Sequence, residues 1–445
     1  MHANAPGDTF PMRVKVLIGQ TLVGTLAEVD GATYFEYAAA FLQSGQALSP
    51  LYLPLREGAT LCNKAWLQNL PGLCFDSLPD AWGERVMERW FQAEQKRSIE
   101  SVTALEQLCF IGDRGIGALR YEPMLIAQDP LRPGIEAALD LRRLELDARA
   151  VIESEPTAAI PSLIELAYNG TAGGARPKIW IGVNEDADGA GRPRLIAGAR
   201  ELPSGYSPWL LKLDVPKLKA PYREYGRVEH AYAMMADAAG LRCCRTRLFA
   251  AQDDDGNERA HFAIARFDRG PNGNRIHFHS LAGMTEADFD RQIDYRELLS
   301  TTQQVSRDQT EVLEAFRRAT FNVASRVCDD HAKNHGFLYK NGLWRLSPAY
   351  DMVYAAPGRF RRHAMPVAGN AVNPGLSELA QLADESDLAP GAVADVIEQC
   401  RKAVDLWPQF AENAGVSQDR ALEIAAELPG RLWSPILNKK PRKKH

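Results

Sequence analysis

The stretch "VCDDHAKNHGFLYKNGLWRLSPAYDMVY", residues 327–354, sets Asp329, Asp330, His331, Asn334 and His335 between apolar runs and adds Asp351 beyond a hairpin signal. Carboxylates this close repel one another, so such a cluster is either a solvated loop or a place for a cation. The residues just before it, "TEVLEAFRRATFNVASRV" (310–327), carry Leu313, Phe316, Thr320, Val323 and Val327 along one helical face. Past the cluster, Asn341-Gly342 inside "GFLYKNGLWRL" marks a tight hairpin.

Asp329 and Asn334 stand five residues apart directly after the helix. Protein-kinase catalytic loops space their residues in this way: the aspartate takes the proton of the acceptor hydroxyl, and the asparagine holds a magnesium ion. Asp351 follows where a kinase places its second metal carboxylate. Two oxygen ligands and nucleotide phosphates suit Mg²⁺, which keeps waters and seldom takes an all-protein cage. The competing reading pairs His331 and His335, at i and i+4, as zinc ligands. No glutamate fills the slot of a His-Glu-x-x-His motif, and no third ligand is evident. The plainest reading gives His331 to the loop backbone and makes His335 a strand cap.

A second constellation lies upstream. "NGTAGGARPK" (169–178) is a glycine loop between strand-like runs, without the Gly-Lys-Ser/Thr ending of a Walker loop. Backbone N–H groups at Gly173 and Gly174 can cradle phosphate oxygens because glycine lets the chain approach closely, and Arg176 and Lys178 add charge. Alone, the loop reads equally well as a plain turn. Lys212 in "PWLLKLD" sits among Trp209, Leu210, Leu211 and Leu213, where burial without an anion is costly. It can serve as a strand lysine on phosphates or face solvent from an edge strand. Glu229, opening the next helix, is its natural ion-pair partner, or else simply favours the helix dipole.

The whole chain sets the frame. Its 445 residues exceed one small core and predict two or three domains. With 45% hydrophobic and 24% charged residues the composition is that of a globular protein. A net charge of −5 and a pI near 6.1 argue against the chain as a whole binding nucleic acid. Seven scattered cysteines, with no Cys-x-x-Cys, predict buried thiols in a reducing compartment. No signal peptide and no apolar run of about 18 residues is apparent, so a cytoplasmic chain without a membrane span is expected.

Residues 13–55 read as short strands. Pro79-Asp80 opens a helix with Trp82, Val86 or Met87, and Trp90 at helical spacing. Pro123, Pro130 and Pro133 suggest a boundary. Residues 136–155 read as helix, and "RVEHAYAMMADAAGL" as a helix ending at Gly240. A hairpin turns about Asp255-Gly256-Asn257, and helix dominates from about residue 280. The expected division is a disordered 1–12, a β-rich subdomain 13–123, a kinase N-lobe part 124–275, a helical C-lobe 276–435 and a basic tail 436–445. The expected fold class is α+β.

"TAGGARPK", "WLLKLD", "RVEHAY", "ARFDR", "CDDHAKNH" and "SPAYDMV" occur in an order that resembles the HipA-like serine/threonine kinases, toxin components of bacterial toxin–antitoxin pairs. "YFEYAAAFL", "LSPLYLPL" and "LPDAWGERVM" resemble that family's N-terminal subdomain, so the likeness spans roughly residues 13–430. It implies a two-lobed, protein-kinase-like fold with Asp329 as catalytic base, Asn334 and Asp351 on Mg²⁺, and Lys212 on the phosphates of ATP. It further implies a glycine loop at Gly173, Gly174, Ala175, Arg176, Pro177 and Lys178, with His331 and Lys333 beside the nucleotide. Ala265, Arg266 and Phe267 would form the hinge against adenine. Departures are Val327-Cys328 where an Asn-Thr is common, Ala265 where a Glu is common, and Thr171 where a self-phosphorylated serine is found. The implied partners are a protein substrate (some members phosphorylate aminoacyl-tRNA synthetases) and a small DNA-binding HipB-like antitoxin, through which DNA is met indirectly. The alternatives are a small-molecule or lipid kinase on the same fold, or a catalytically silent binding module for a DNA-binding partner.

Overall fold

The structure, a computed structural model, describes residues 13–126, 139–153, 176–185, 193–198, 202–215, 223–252, 256–270, 273–288, 293–355 and 362–428. The chain forms two compact units. The first takes in Met1–Pro221, Arg247–Phe289 and Phe337–Trp344; the second takes in Tyr222–Thr246, Asp290–Gly336 and Arg345–His445.

The first unit is built on antiparallel sheets. Strands β1 (Arg13–Ile18), β2 (Thr21–Val29), β3 (Ala32–Tyr37), β4 (Thr60–Cys62) and β5 (Leu119–Glu122) pair in the order β4-β3-β2-β1-β5. Alternation puts Val14 and Val16 on the buried face with Leu26, Phe35 and Tyr37. Two short helices, α1 (Ala39–Leu42) and α2 (Gly72–Phe75), cover this core; α3 (Ala81–Trp90), α4 (Ala104–Ile111) and α5 (Leu141–Ile152) follow. Helix α3 buries Trp82, Val86, Met87 and Trp90, the spacing its sequence predicts.

These tryptophans pack against a second sheet. Its strands β6 (Lys178–Asn184), β7 (Arg194–Ala197), β8 (Ser207–Lys212), β9 (Thr246–Gln252) and β10 (Glu258–Ala265) lie in the order β7-β6-β8-β10-β9. All of β6 but its last residue is buried, as expected of a strand covered on both faces. The third sheet places β11 (His277–Ser280) beside the hairpin β12 (Gly336–Lys340) and β13 (Leu343–Leu346). Asn341 and Gly342 both take positive φ, 53° and 80°, which the two-residue hairpin turn requires.

The second unit is mainly helical. It holds α6 (Tyr225–Ala238), and α7 (Leu281–Thr285) follows β11 back in the first unit. Then come α8 (Tyr295–Ser306), α9 (Gln309–Ser325), the ribbon β14 (Arg362–Val367) and β15 (Asn370–Val372), and α10 (Leu376–Glu385), α11 (Pro390–Asp405), α12 (Trp407–Asn413) and α13 (Gln418–Glu427). Gly240 takes φ 77° just past α6, the C-terminal position expected for it.

Helix α9 departs from expectation. Its N-terminus is capped by the Asp308 carboxylate, which accepts from Thr310 N at 2.9 Å. Its sequence suggested one apolar face, yet the helix is buried on nearly every side and Leu313 is only half-buried. The reason is a buried polar stripe at i, i+3 and i+4 steps: Glu311, Glu314, Arg318 and Asn322. Glu311 accepts from Arg242 at 2.9 and 3.1 Å, and Glu314 from Arg318 at 3.2 and 3.3 Å, so the charges are paired where they are buried.

All seven cysteines are free thiols, five of them buried. Among the described residues no helix is long and apolar enough to cross a membrane.

Candidate active site

The polar stripe of α9 ends at the cluster that opened the sequence. Arg326 takes φ 58° and stops the helix, sending the chain into the loop 327–335. There Arg318, Asn322, Asp329, Asn334 and Asp351 line one pocket, together with Asp330. Asp329, Asn334 and Asp351 are thereby brought together from loop and post-hairpin segment, all within the second unit.

Two adjacent aspartates have opposite fates. The Asp329 side chain is 62% exposed, while Asp330 is buried with 1% of its surface accessible. Asn334 donates its side-chain N–H to the Asp329 carbonyl at 2.7 Å, bracing the loop across its mouth and leaving the amide oxygen as an acceptor. Tyr350 Oη donates to the Lys333 carbonyl at 2.6 Å, tying the loop to the segment that carries Asp351. Asp351 itself takes φ 57°, a left-handed conformation that a short polar side chain tolerates and that recurs at functional sites.

The two histidines separate. His331 is partly exposed and its Nε2 lies 3.9 Å from Asp329 Oδ1, at the loop's edge. His335 is buried edge-on against Tyr295, with ring centroids 5.6 Å apart. Burial pushes its ring down to about 3, with the Arg318 charge adding to the effect, so it stays neutral. Among the described residues no three His, Cys, Asp or Glu side chains converge as a metal site, which leaves the zinc pairing of these histidines without support.

In the first unit, Lys178 opens β6 and Lys212 closes β8, and the two are register partners. Both are buried, at 3% and 7% exposure, and the Lys212 ammonium lies 5.7 Å from the Phe262 ring centroid. Lys212 is therefore an interior lysine of a central strand, not a solvent-facing one. Ala265 ends β10; Arg266 N donates to Pro208 O at 3.0 Å and Phe267 meets Phe278 at 5.8 Å. The Arg266 guanidinium lies over Trp180 at 3.6 Å and grips Asp268 with two hydrogen bonds of 2.9 and 2.7 Å. Arg176 and Pro177 precede β6; Thr171, Gly173, Gly174 and Ala175 lie outside the described residues. Glu229 is buried in α6 of the second unit, whereas Lys212 belongs to the first.

Residues 170–408 match the family profile of the HipA-like C-terminal domain, and residues 14–122 match that of the HipA N-terminal domain. The chain belongs to the HipA-like family. Among solved structures, a chain of the toxin–antitoxin complex of HipA, HipB and operator DNA from Shewanella oneidensis MR-1 superposes with a TM-score of 0.64. It is 15% identical, over 93% of this chain and 94% of that one. The proinflammatory kinase CtkA of Helicobacter pylori gives 0.32 at 10% identity, over 52% of this chain and 90% of that one, too low to carry an argument. No curated protein sequence matches. The α+β, two-lobed HipA fold thus holds for the chain as a whole.

Sequence reading of this HipA-like chain passed over several residues around the pocket. Arg318 and Asn322 were hidden by the apolar count along α9, although polar residues recurring every three to four positions inside a buried helix are a readable signal. Tyr295 and His363 carry no local mark of their role. They reach the loop from elements some 30 residues away on either side.

Proposed function

We propose that this chain is an ATP- and Mg²⁺-dependent serine/threonine protein kinase of the HipA type. The observation that carries this reading is the single pocket shared by an exposed Asp329, an Asn334 whose amide oxygen is left free to accept, and Asp351. In the transfer step the Asp329 carboxylate accepts the proton of the acceptor hydroxyl. The hydroxyl oxygen bonds to the γ-phosphorus as the bond to the ADP oxygen breaks.

The donor set fits Mg²⁺: a carboxylate and an amide oxygen, both hard donors, line one pocket. Asn334 and Asp351 would hold it, and a bound Mg²⁺ supplies neutralisation of the phosphate charge. Lys178 and Lys212 support the nucleotide half of the reading. The family resemblance would add Arg176 and Pro177 to the phosphate contacts, Ala265, Arg266 and Phe267 as the hinge against adenine, and His331 and Lys333 as neighbours of the nucleotide.

The relative from Shewanella is a complex with HipB and operator DNA. For this chain, whose net charge is −5, we infer a small DNA-binding antitoxin partner and no direct DNA affinity. Self-phosphorylation at Thr171 would add about −1.5 to −2 charges beside the cradle and lower activity; mass spectrometry after incubation with Mg-ATP checks it. The substrate is tested by phosphoproteomics after induced expression of wild type and Asp329→Asn. Phosphosites present only with wild type support a protein kinase. Identical phosphoproteomes, with ATP consumed on a small molecule, would replace it with the small-molecule reading.

A further inference from the structure

Asp330 makes contacts that an idle neighbour of a catalytic aspartate does not need. Its Oδ2 accepts from Tyr295 Oη and from His363 Nδ1, each at 2.7 Å. Its Oδ1 accepts from Ala364 N at 2.8 Å and more weakly from Met365 N at 3.4 Å. Tyr295 Oη in turn accepts from the side-chain amide of Asn322 on α9 at 2.9 Å. Two residues earlier, the Cys328 carbonyl accepts from Ala364 N at 3.0 Å, and Cys328 Sγ lies 3.9 Å from His363 Nε2.

The loop is thus stitched on both sides of Asp329 to β14, and from Asp330 to α8 and, through Tyr295, to α9. All of these lie in the second unit. We propose that Asp330 is a positioning residue: by locking to His363 and Tyr295 it fixes the backbone of its neighbour, so that the Asp329 carboxylate is held outward in the pocket. This rests on the kinase reading, which it deepens by naming what orients the base. A carboxylate that accepts several hydrogen bonds in a dry interior has one low-energy placement, and its neighbour inherits that order. Misplacing a reacting group by an ångström is costly, so a residue that never touches the nucleotide can control the rate. The histidine partner is suited to the task. Burial alone would push His363 down, but the hydrogen bond and charge of Asp330, with Cys328, raise it to about 10, so its ring stays charged near neutrality.

A purely structural pair would lose stability, nucleotide binding and transfer together. The test therefore measures all three on the full-length chain: melting temperature, Mg-ATP affinity by calorimetry, and γ-phosphoryl transfer from labelled Mg-ATP well below the melting temperature. Asp330→Asn and His363→Leu should each lower transfer by about 10²-fold while Mg-ATP affinity holds. His363→Asn, which keeps a donor near the Nδ1 position, should recover most of that loss, and the double variant Asp330→Asn/His363→Leu should be no worse than either single one. If Asp330→Asn fails to fold, the two His363 variants carry the comparison. A wild-type rate in Asp330→Asn, or a loss that only follows melting and Mg-ATP binding, overturns the proposal. If the wild type itself transfers nothing, the kinase reading fails instead, and amide exchange decides the latch: Ala364 and Met365 must exchange faster in Asp330→Asn, and unchanged exchange overturns it.

Discussion

Each unit buries an aspartate–histidine pair, and the two pairs are put to different use. In the first, Asp76 Oδ2 meets His279 Nδ1 at 2.5 Å, and His279 Nε2 meets Ser49 Oγ at 3.0 Å. In the second, Asp330 meets His363 at 2.7 Å. The first has the connectivity of a serine-hydrolase triad, yet Ser49 and His279 have no accessible surface, and a nucleophile without access does no chemistry. It acts as a dowel. Asp76 also accepts from Ser280 N at 2.7 Å, and a Cβ placed on Gly283 would lie 2.4 Å from Asp76 Oδ2. Helices α2 and α7 therefore meet at contact that only glycine permits. Burial pushes the Asp76 carboxyl up, but the His279 charge and the hydrogen bonds from His279 and Ser280 outweigh it and hold it below the usual range. Asp330 differs in having an exposed acid, Asp329, next in the chain. The chemistry of the pair is shared; what lies beside it separates a fastening from the support proposed for Asp329.

The largest effect expected from this contrast is on stability. Asp76→Ala strands His279 and the Ser280 donors in the core and should cost about 3–5 kcal/mol in urea unfolding. Transfer per folded molecule should stay near wild type. A cost below about 1 kcal/mol, or a selective loss of transfer, would erase the distinction from Asp330.

Buried histidines give the fold a pH signature. Burial pushes His261 and His277 down to about 4 and His335 to about 3, with Arg259, His279 and Arg318 respectively adding to it. These groups are depressed in the fold, so the stability they contribute is present above pH 6.5 and lost as pH falls toward 4. His363 is raised to about 10, so its contribution is present below pH 6.5 and lost as pH climbs toward 10. Unfolding midpoints should fall on the acid side in wild type and in His363→Asn alike, while the alkaline decline should be shallower in His363→Asn. Equal alkaline slopes would remove the charged Asp330–His363 pair from the account.

The smallest effect is expected at the surface. Arg223 and Glu423 pair at 3.0 Å with side chains 38% and 43% exposed, and Arg223→Ala should change stability by about 1 kcal/mol or less. A larger change would mean that exposed pairs here rival the buried ones.

Much of this was legible from residue order alone. Asn341-Gly342 announced its hairpin because φ > 0 at both positions has few solutions. The tryptophan spacing of α3 and the glycine ending α6 were equally local signals. Helix α4 was passed over although Thr103 and Glu106 spell a capping box, with Glu106 N donating to Thr103 Oγ1 at 3.2 Å and Thr103 N to the Glu106 carboxylate at 2.8 Å. The unequal fates of Asp329 and Asp330 could not be read locally. Two identical residues in succession are sorted by a strand whose His363 lies 33 residues later, and nothing in "CDDHAKNH" says which one β14 will cover. Nor does the apolar spacing of α9 reveal that Glu311 and Glu314 are buried, since that depends on Arg242 and Arg318 arriving to pair them.

The central claim is that Asp329 is the base of a phosphoryl transfer in a pocket that also carries Asn334 and Asp351. The direct test is Asp329→Asn, with Mg-ATP binding and γ-phosphoryl transfer measured on the same preparation. Transfer should fall by about 10²–10⁴-fold, the contribution of a positioned base, while Mg-ATP affinity and melting temperature stay close to wild type. Near-normal transfer by Asp329→Asn would contradict the assignment.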